Sequence, residues 1–242
     1  MKATTLVIAI LACVGSLRAQ TFTLQPGPET GKDIWTTSVY SYAPGGSFPG
    51  GGKDEAGLRV GGWADLYYSL IQFDLSSMPR HADSAVVRLY ECTGLQITNP
   101  DTVYNGEGYG ATQMNLAAIT SPWDWRTMGT GRDHDRLWWA DQPSAVQWGG
   151  ILPAPSRDAW YQIDITDLYN AWQSGKMQNY GIELQPLQNW NNWDTFFSSN
   201  YMADPSLRPE LMVMIPEPTV CATLVGVIVL AGMSCRLASR RS

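Results

Sequence analysis

Short β-prone runs, broken by Gly, Pro, Asn and Asp, recur along residues 20–215 with the spacing of an all-β sandwich or barrel. Strands are predicted near Ile34–Val39, Leu58–Val60, Tyr68–Leu75, Ala85–Glu91, Met114–Ile119, Trp160–Ile165, Gly181–Gln185, Thr195–Ser198 and Glu210–Met214. In Ser69–Leu75, Ile71, Phe73 and Leu75 alternate with Gln72 and Asp74, which predicts a half-buried strand with one face on the core. One short helix is predicted after Thr166, read as its N-cap. Leu168 and Trp172 share a face there, and Gly175 supplies the stop. The Gly-rich segments Tyr42–Gly57 and Asn99–Gly110 are predicted as loops, and no internal repeat is visible.

Two longer apolar stretches lie at the chain ends. Residues 1–19 carry an early lysine, an apolar run from Leu6 to Val14 and the exit Ser16-Leu17-Arg18-Ala19. That is the layout of a secretory signal peptide, the apolar run being too short to span a bilayer. At the other end Pro216-Glu217-Pro218 precedes an uncharged run from Thr219 to Cys235, then Arg236, Arg240 and Arg241. As a helix the run would reach about 25 Å, a little short of a roughly 30 Å hydrocarbon core, and the arginines would stay cytoplasmic. An ordinary tail anchor has the same physics. The order of motif, span and basic tail resembles the PEP-CTERM sorting signal of Gram-negative bacteria. The resemblance implies an exosortase as partner, a transient inner-membrane anchor through residues 219–235, and delivery of residues 20–215 to the cell surface or extracellular matrix.

The domain between the two signals carries a second resemblance. Leu24-Gln25-Pro26-Gly27 with Asp33, Gly57-Leu58-Arg59-Val60-Gly61 and Ser69–Leu75 are similar to the opening of a DNRLRE domain. Ala85–Tyr90, Trp123 with Trp139–Pro143, Trp160–Trp172, Asn179–Leu184 and Arg208-Pro209-Glu210-Leu211 continue the pattern in order. That family is a jelly-roll β-sandwich related to the disaggregatase repeat, some of whose relatives are carbohydrate-binding modules. The resemblance therefore implies a non-catalytic, glycan-associated module of the surface or biofilm matrix. A Gly-rich insert at 43–52 and an acidic stretch from Asp124 to Asp141 depart from the pattern.

Composition narrows the partners. Residues 20–215 hold 11 Lys and Arg against 21 Asp and Glu, a net charge of about −10, which repels nucleic-acid phosphates and anionic headgroups. Cys92 is the one cysteine of this window, so no disulfide can form inside it, and the thiol reads as a small buried hydrophobe. Eleven tryptophans in 242 residues are the unusual feature. Indole faces suit sugar C–H faces, but they also suit sheet packing, which is the reading for Trp35, Trp160 and Trp172. Trp190 and Trp193 bracket a polar Asn-Asn loop and are the first candidates for polysaccharide contact. Trp63, Tyr67 and Tyr68 beside Arg59 form a second cluster, and Arg59 could equally pair with Asp65 or Asp74. Asp33 and Asp133-His134-Asp135 are eligible calcium ligands. No spaced calcium loop accompanies them, so solvated surface carboxylates are the first reading and a structural calcium the second. With His81 and His134 alone there is no zinc pattern, no nucleophile elbow and no specific catalytic expectation.

Overall fold

A computed structural model describes residues 19–38, 56–62, 66–92, 97–99, 102–104, 112–125, 136–187 and 192–215, with backbone alone at 97–99, 102–104 and 192–194. The expected signal peptide (Ala19 apart), the sorting signal and the Tyr42–Gly57 loop up to residue 55 lie outside them. Two compact units divide the chain: Phe22–Val213, and a second made of Met1–Thr21 with Met214–Ser242. Of the second unit, residues 19–21 and 214–215 are described, and Met214 there is exposed. Among the described residues no helix is long and apolar enough to cross a membrane.

The larger unit is an all-β sandwich. Its smaller sheet runs β1 (Gln20–Leu24), β13 (Glu210–Ile215), β5 (Ser84–Tyr90), β10 (Trp160–Asp164). The larger sheet runs β12 (Asn192–Ser198), β3 (Gly57–Gly62), β4 (Tyr67–Gln72), β11 (Ile182–Pro186), β8 (Met114–Ile119), β9 (Ala145–Leu152), with β2 (Lys32–Thr37) also paired to β4. A separate hairpin joins β6 (Ile97–Asn99) to β7 (Thr102–Tyr104), and one helix, α1 (Thr166–Gln173), follows β10.

The strand alternation decides where the core sits. In β5 Ala85, Val87 and Leu89 are fully buried while the residues between them are partly exposed. They meet Ile163 of β10 and Leu211 and Val213 of β13 from their own sheet, and Ile71, Ile182, Leu184 and Leu116 from the larger one. Leu168, Tyr169 and Trp172 of α1 close one end of this core. Each buried leucine or isoleucine contributes about 1.5–3 kcal/mol over its exposed state. Gly181 needs its glycine: its φ is 93°, and an added Cβ would lie 2.2 Å from the Ile71 carbonyl oxygen.

Several expectations are corrected. Ile71, Phe73 and Leu75 are buried and Gln72 and Asp74 are partly or fully exposed, as their alternation predicts, but β4 ends at Gln72 and its second face is buried at Leu70. Leu70 there is fully buried in a second cluster with Ile34, Ile119, Trp123 and Leu137. The chain around Trp123 and Leu137 returns across the outer face of the larger sheet. It is pinned where the Trp123 indole N–H donates to the Tyr180 carbonyl at 2.7 Å. Thr166 is the first residue of α1 and not its cap. Ile165 occupies that position without a side-chain bond. The Thr166 hydroxyl is engaged elsewhere, donating to Asp164 Oδ1 at 2.6 Å and accepting from the Ala85 N–H at 3.0 Å. The expected Asn99–Gly110 loop holds the returning strand of a hairpin at Thr102–Tyr104, and Asn99 itself closes the first strand. β1 and β9 were not expected, because neither presents a clean period of two with a buried face.

Candidate functional site

A bulge in β9 borders a cleft. Two steps along β8, from Asn115 to Ala117, face four along β9, from Ile151 back to Gln147. The extra residues include Gly149 and Gly150, and Gly149 takes up the strain at φ 72°. Nothing lies within 4 Å of a Cβ added at either glycine, so the backbone opens onto empty space. That space is a cleft of about 410 Å³, lined by Trp148, Gly149, Gly150 and Leu152 of β9, Leu116 of β8, and Asp83, Asp164, Ile165, Thr166 and Asp167 across from them.

The wall opposite β9 is the corner between β10 and α1. Asp164 accepts from both the N–H and the hydroxyl of Thr166, at 2.8 and 2.6 Å, so one of the three carboxylates is held by the fold. Asp83 lies 3.8 Å from His81 Nε2, and both side chains are largely exposed. Asp167 is exposed in the first turn of α1, where its charge complements the helix dipole. Among the described residues no Lys or Arg lines the cleft. The cleft offers an indole, bare backbone and carboxylate acceptors. This composition accepts hydrogen bonds from hydroxyl or ammonium groups and packs an apolar C–H face, while it repels anions. Trp148 was missed as a candidate. The signal was present in Trp148-Gly149-Gly150, an aromatic followed by a glycine pair inside a β-prone run.

The expected aromatic cluster is assembled in part. The Arg59 guanidinium stacks 3.7 Å from the centre of the Tyr67 ring, 5.5 Å from Phe196 and 5.8 Å from Trp35. Tyr67 and Trp35 are buried and meet edge to face at 5.7 Å, so this clasp holds β2, β3, β4 and β12 together. Asp74 is turned to its own bend, accepting from the Ser76 N–H at 2.9 Å. Trp63, Asp65, Trp190 and the Asp133-His134-Asp135 stretch lie outside the described residues, and Trp193 is known only as a backbone position of β12. Trp172 is buried in the core, whereas Trp160 is half-buried on the outer face of the smaller sheet. There Arg88 lies 4.4 Å over its ring, and the same guanidinium pairs with Glu210.

Two acids are buried. Asp33 is 4% exposed and accepts the Asn200 N–H at 2.7 Å; burial pushes its pKa up to about 7 against the pull of that hydrogen bond. As a calcium candidate Asp33 is therefore already engaged with the chain. Glu183 of β11 is 2% exposed, and desolvation raises it to about 7, with the Gln185 amide opposing. Among the described residues no three His, Cys, Asp or Glu side chains gather as a metal site. Cys92 is fully buried, donates to the Phe196 carbonyl at 3.5 Å, and burial holds its thiol well above the ordinary value.

Fold and geometry define an all-β sandwich of two antiparallel sheets with a cleft at one edge. No family model matches the chain, and no curated protein does either.

Proposed function

We propose that this chain is an exported, non-catalytic carbohydrate-binding-type module of jelly-roll kind, similar to DNRLRE domains. It associates with exopolysaccharide at the cell surface or in a biofilm matrix. Its placement rests on the chain ends: the signal-like residues 1–19 and the Pro216-Glu217-Pro218 motif with its apolar run and arginines, which an exosortase would process. The binding reading is carried by one observation, the 410 Å³ cleft in which Trp148 faces carboxylate acceptors over a bare glycine floor. Pyranose rings present an apolar face and a rim of hydroxyl donors, and both have counterparts there. The domain's negative charge disfavours nucleic acid and polyanionic glycans. No cofactor is needed for this work.

The test is a polysaccharide array probed with the full chain in mild detergent, with and without calcium, beside Trp148→Ala and Gly150→Leu. Neutral or amino-sugar glycans should be retained by the parent chain and lost by both variants at unchanged thermal unfolding. Retention that ignores both variants would sink the cleft as the site. Calcium-dependent retention would revive a structural ion. A purely structural surface protein is the second reading, favoured by the burial of Trp35, Trp123 and Trp172. Absence of retention on every glycan would select it.

A further inference from the structure

The outer face of the larger sheet carries a polar row that the fold does not use. Register places Thr36 opposite Tyr68 between β2 and β4, and Gln185 opposite Asn115 between β11 and β8. Leu184 pairs with Ser69, so Gln185 comes beside Tyr68 one step further along. Thr36, Tyr68, Gln185 and Asn115 thus form one line across four adjacent strands, two hydroxyls and two amides. In the neighbouring line Glu183 lies between Leu70 and Ala117, on the same face as Gln185 two residues on. The Gln185 amide donates to Glu183 Oε1 at 2.5 Å.

Two observations separate this row from an ordinary solvated sheet face. Glu183 Oε2 and Thr36 Oγ1 are buried and have no hydrogen-bond partner among the described residues, on side chains 2% and 0% exposed. A buried polar atom left unpaired keeps its desolvation penalty, which an incoming hydroxyl would relieve. The second is an aromatic neighbour. Trp139, in the short turn Trp139–Asp141, packs its ring 4.9 Å from Tyr68, and both rings remain partly exposed. Burial raises the Tyr68 hydroxyl, and the nearby Glu183 raises it further, so the phenol is a neutral donor and acceptor. Lys32, the cation of β2 on this face, is turned away, donating to the Trp123 carbonyl at 2.5 Å and lying 4.3 Å over that ring.

From this placement we infer a second binding site, distinct from the cleft, which takes an uncharged polyhydroxylated chain, a neutral glycan, along the half-exposed line Tyr68–Gln185–Asn115, with Thr36 and Glu183 buried beneath it and Trp139 at its side. It deepens the glycan-binding reading by making the module bivalent. Each hydroxyl and amide of the row can both donate and accept, as the hydroxyls of a pyranose chain do. A polyanion has no cation to meet there. A module with two separate sites can bridge two strands of a polysaccharide or hold one strand with raised effective concentration.

The probes are hexasaccharides of β-1,4-glucose, α-1,4-glucose and β-1,4-mannose, titrated calorimetrically into the full chain in mild detergent. One of them should bind at two chains per protein. Tyr68→Ala/Gln185→Ala should reduce this to one and leave the cleft contribution intact; Trp148→Ala should do the reverse. If the double variant lowers thermal stability, Asn115→Ala provides the same test at a half-exposed amide and should weaken the sheet-face site about tenfold. Binding at one chain per protein that Trp148→Ala abolishes, with the row variants silent, overturns the second site and leaves the cleft reading standing. Binding lost in the row variants alone supports the second site and removes the cleft. No binding by the parent chain overturns both.

Discussion

The two faces of the larger sheet are built from the same strands and do different work. On the inner face Ile71, Ile182, Leu184 and Leu116 meet the smaller sheet in one continuous apolar layer. On the outer face, one residue along each strand, the apolar part stops at Ile34, Leu70 and Ile119 beneath Trp123 and Leu137. A line of hydroxyls and amides begins beside it, with Glu183 under its edge. The inner face is closed by a second sheet, so its central positions on β4, β8 and β11 are filled by apolar side chains. On the outer face Trp123 and Leu137 pack over Ile34, Leu70 and Ile119, and polar groups lie beside them. A single strand such as β4 therefore reads as two-sided core at Leu70 and as partly exposed surface at Tyr68.

The sharpest way to break this comparison is core truncation. Leu184→Ala on the inner face should destabilise the protein by about 3–4 kcal/mol, and Leu70→Ala under the smaller outer cluster by about 2–3 kcal/mol, measured by urea unfolding. Equal losses would mean that the outer cluster is packed as tightly as the core.

Titration separates the faces next. Glu183 stands on the outer face, while Asp33 lies opposite Ile71 on the inner side. Both acids have folded-state values raised to about 7, so the unfolded chain releases its protons first. Their stabilising contribution is complete below about pH 4, shrinks as pH rises, and is gone once pH has passed about 7. At roughly 1.4 kcal/mol per unit, Glu183 alone accounts for about 3 kcal/mol of this fall. Unfolding free energy should thus decline from pH 4 to 7 and level off above. Glu183→Gln and Asp33→Asn should each flatten part of that slope, and a parent curve already flat over this range would show that neither acid is held neutral.

Smaller still is Gly181→Ala at the entry to β11. Its positive φ and the approach of the Ile71 carbonyl should cost about 2 kcal/mol, read as a loss of thermal stability. Gly150→Leu, facing open space, should change stability by less than about 0.5 kcal/mol while filling the cleft. Those two glycines contrast a position demanded by backbone geometry with one kept for the space above it.

Much of the architecture was legible along the chain because most strands alternate cleanly or are bounded by turn residues. β5 shows it best: Ala85, Val87 and Leu89 are buried, and Ser84, Val86, Arg88 and Tyr90 between and beside them are partly exposed. The helix stop at Gly175, with φ 75°, and the buried face of Leu168 and Trp172 follow from the same local rules. β9 was hidden, since a bulge destroys its period and an edge strand needs no apolar face. The candidate sites were less legible than the fold. Arg59 and Tyr67 were expected together and are together, yet as a buried clasp between strands.

What the sequence determined by itself was local: which runs extend, where the helix stops, the negative charge of the middle of the chain and the signal-like character of its ends. Only the tertiary structure decided which residues share a surface. Thr36, Tyr68, Asn115 and Gln185 stand far apart in the chain and are aligned only by strand register. Trp148 and Asp167 face one another across a cleft only because a bulge and a strand-to-helix corner converge. Register and convergence are set by the summed burial of the core, a property of the whole chain that no local pattern encodes.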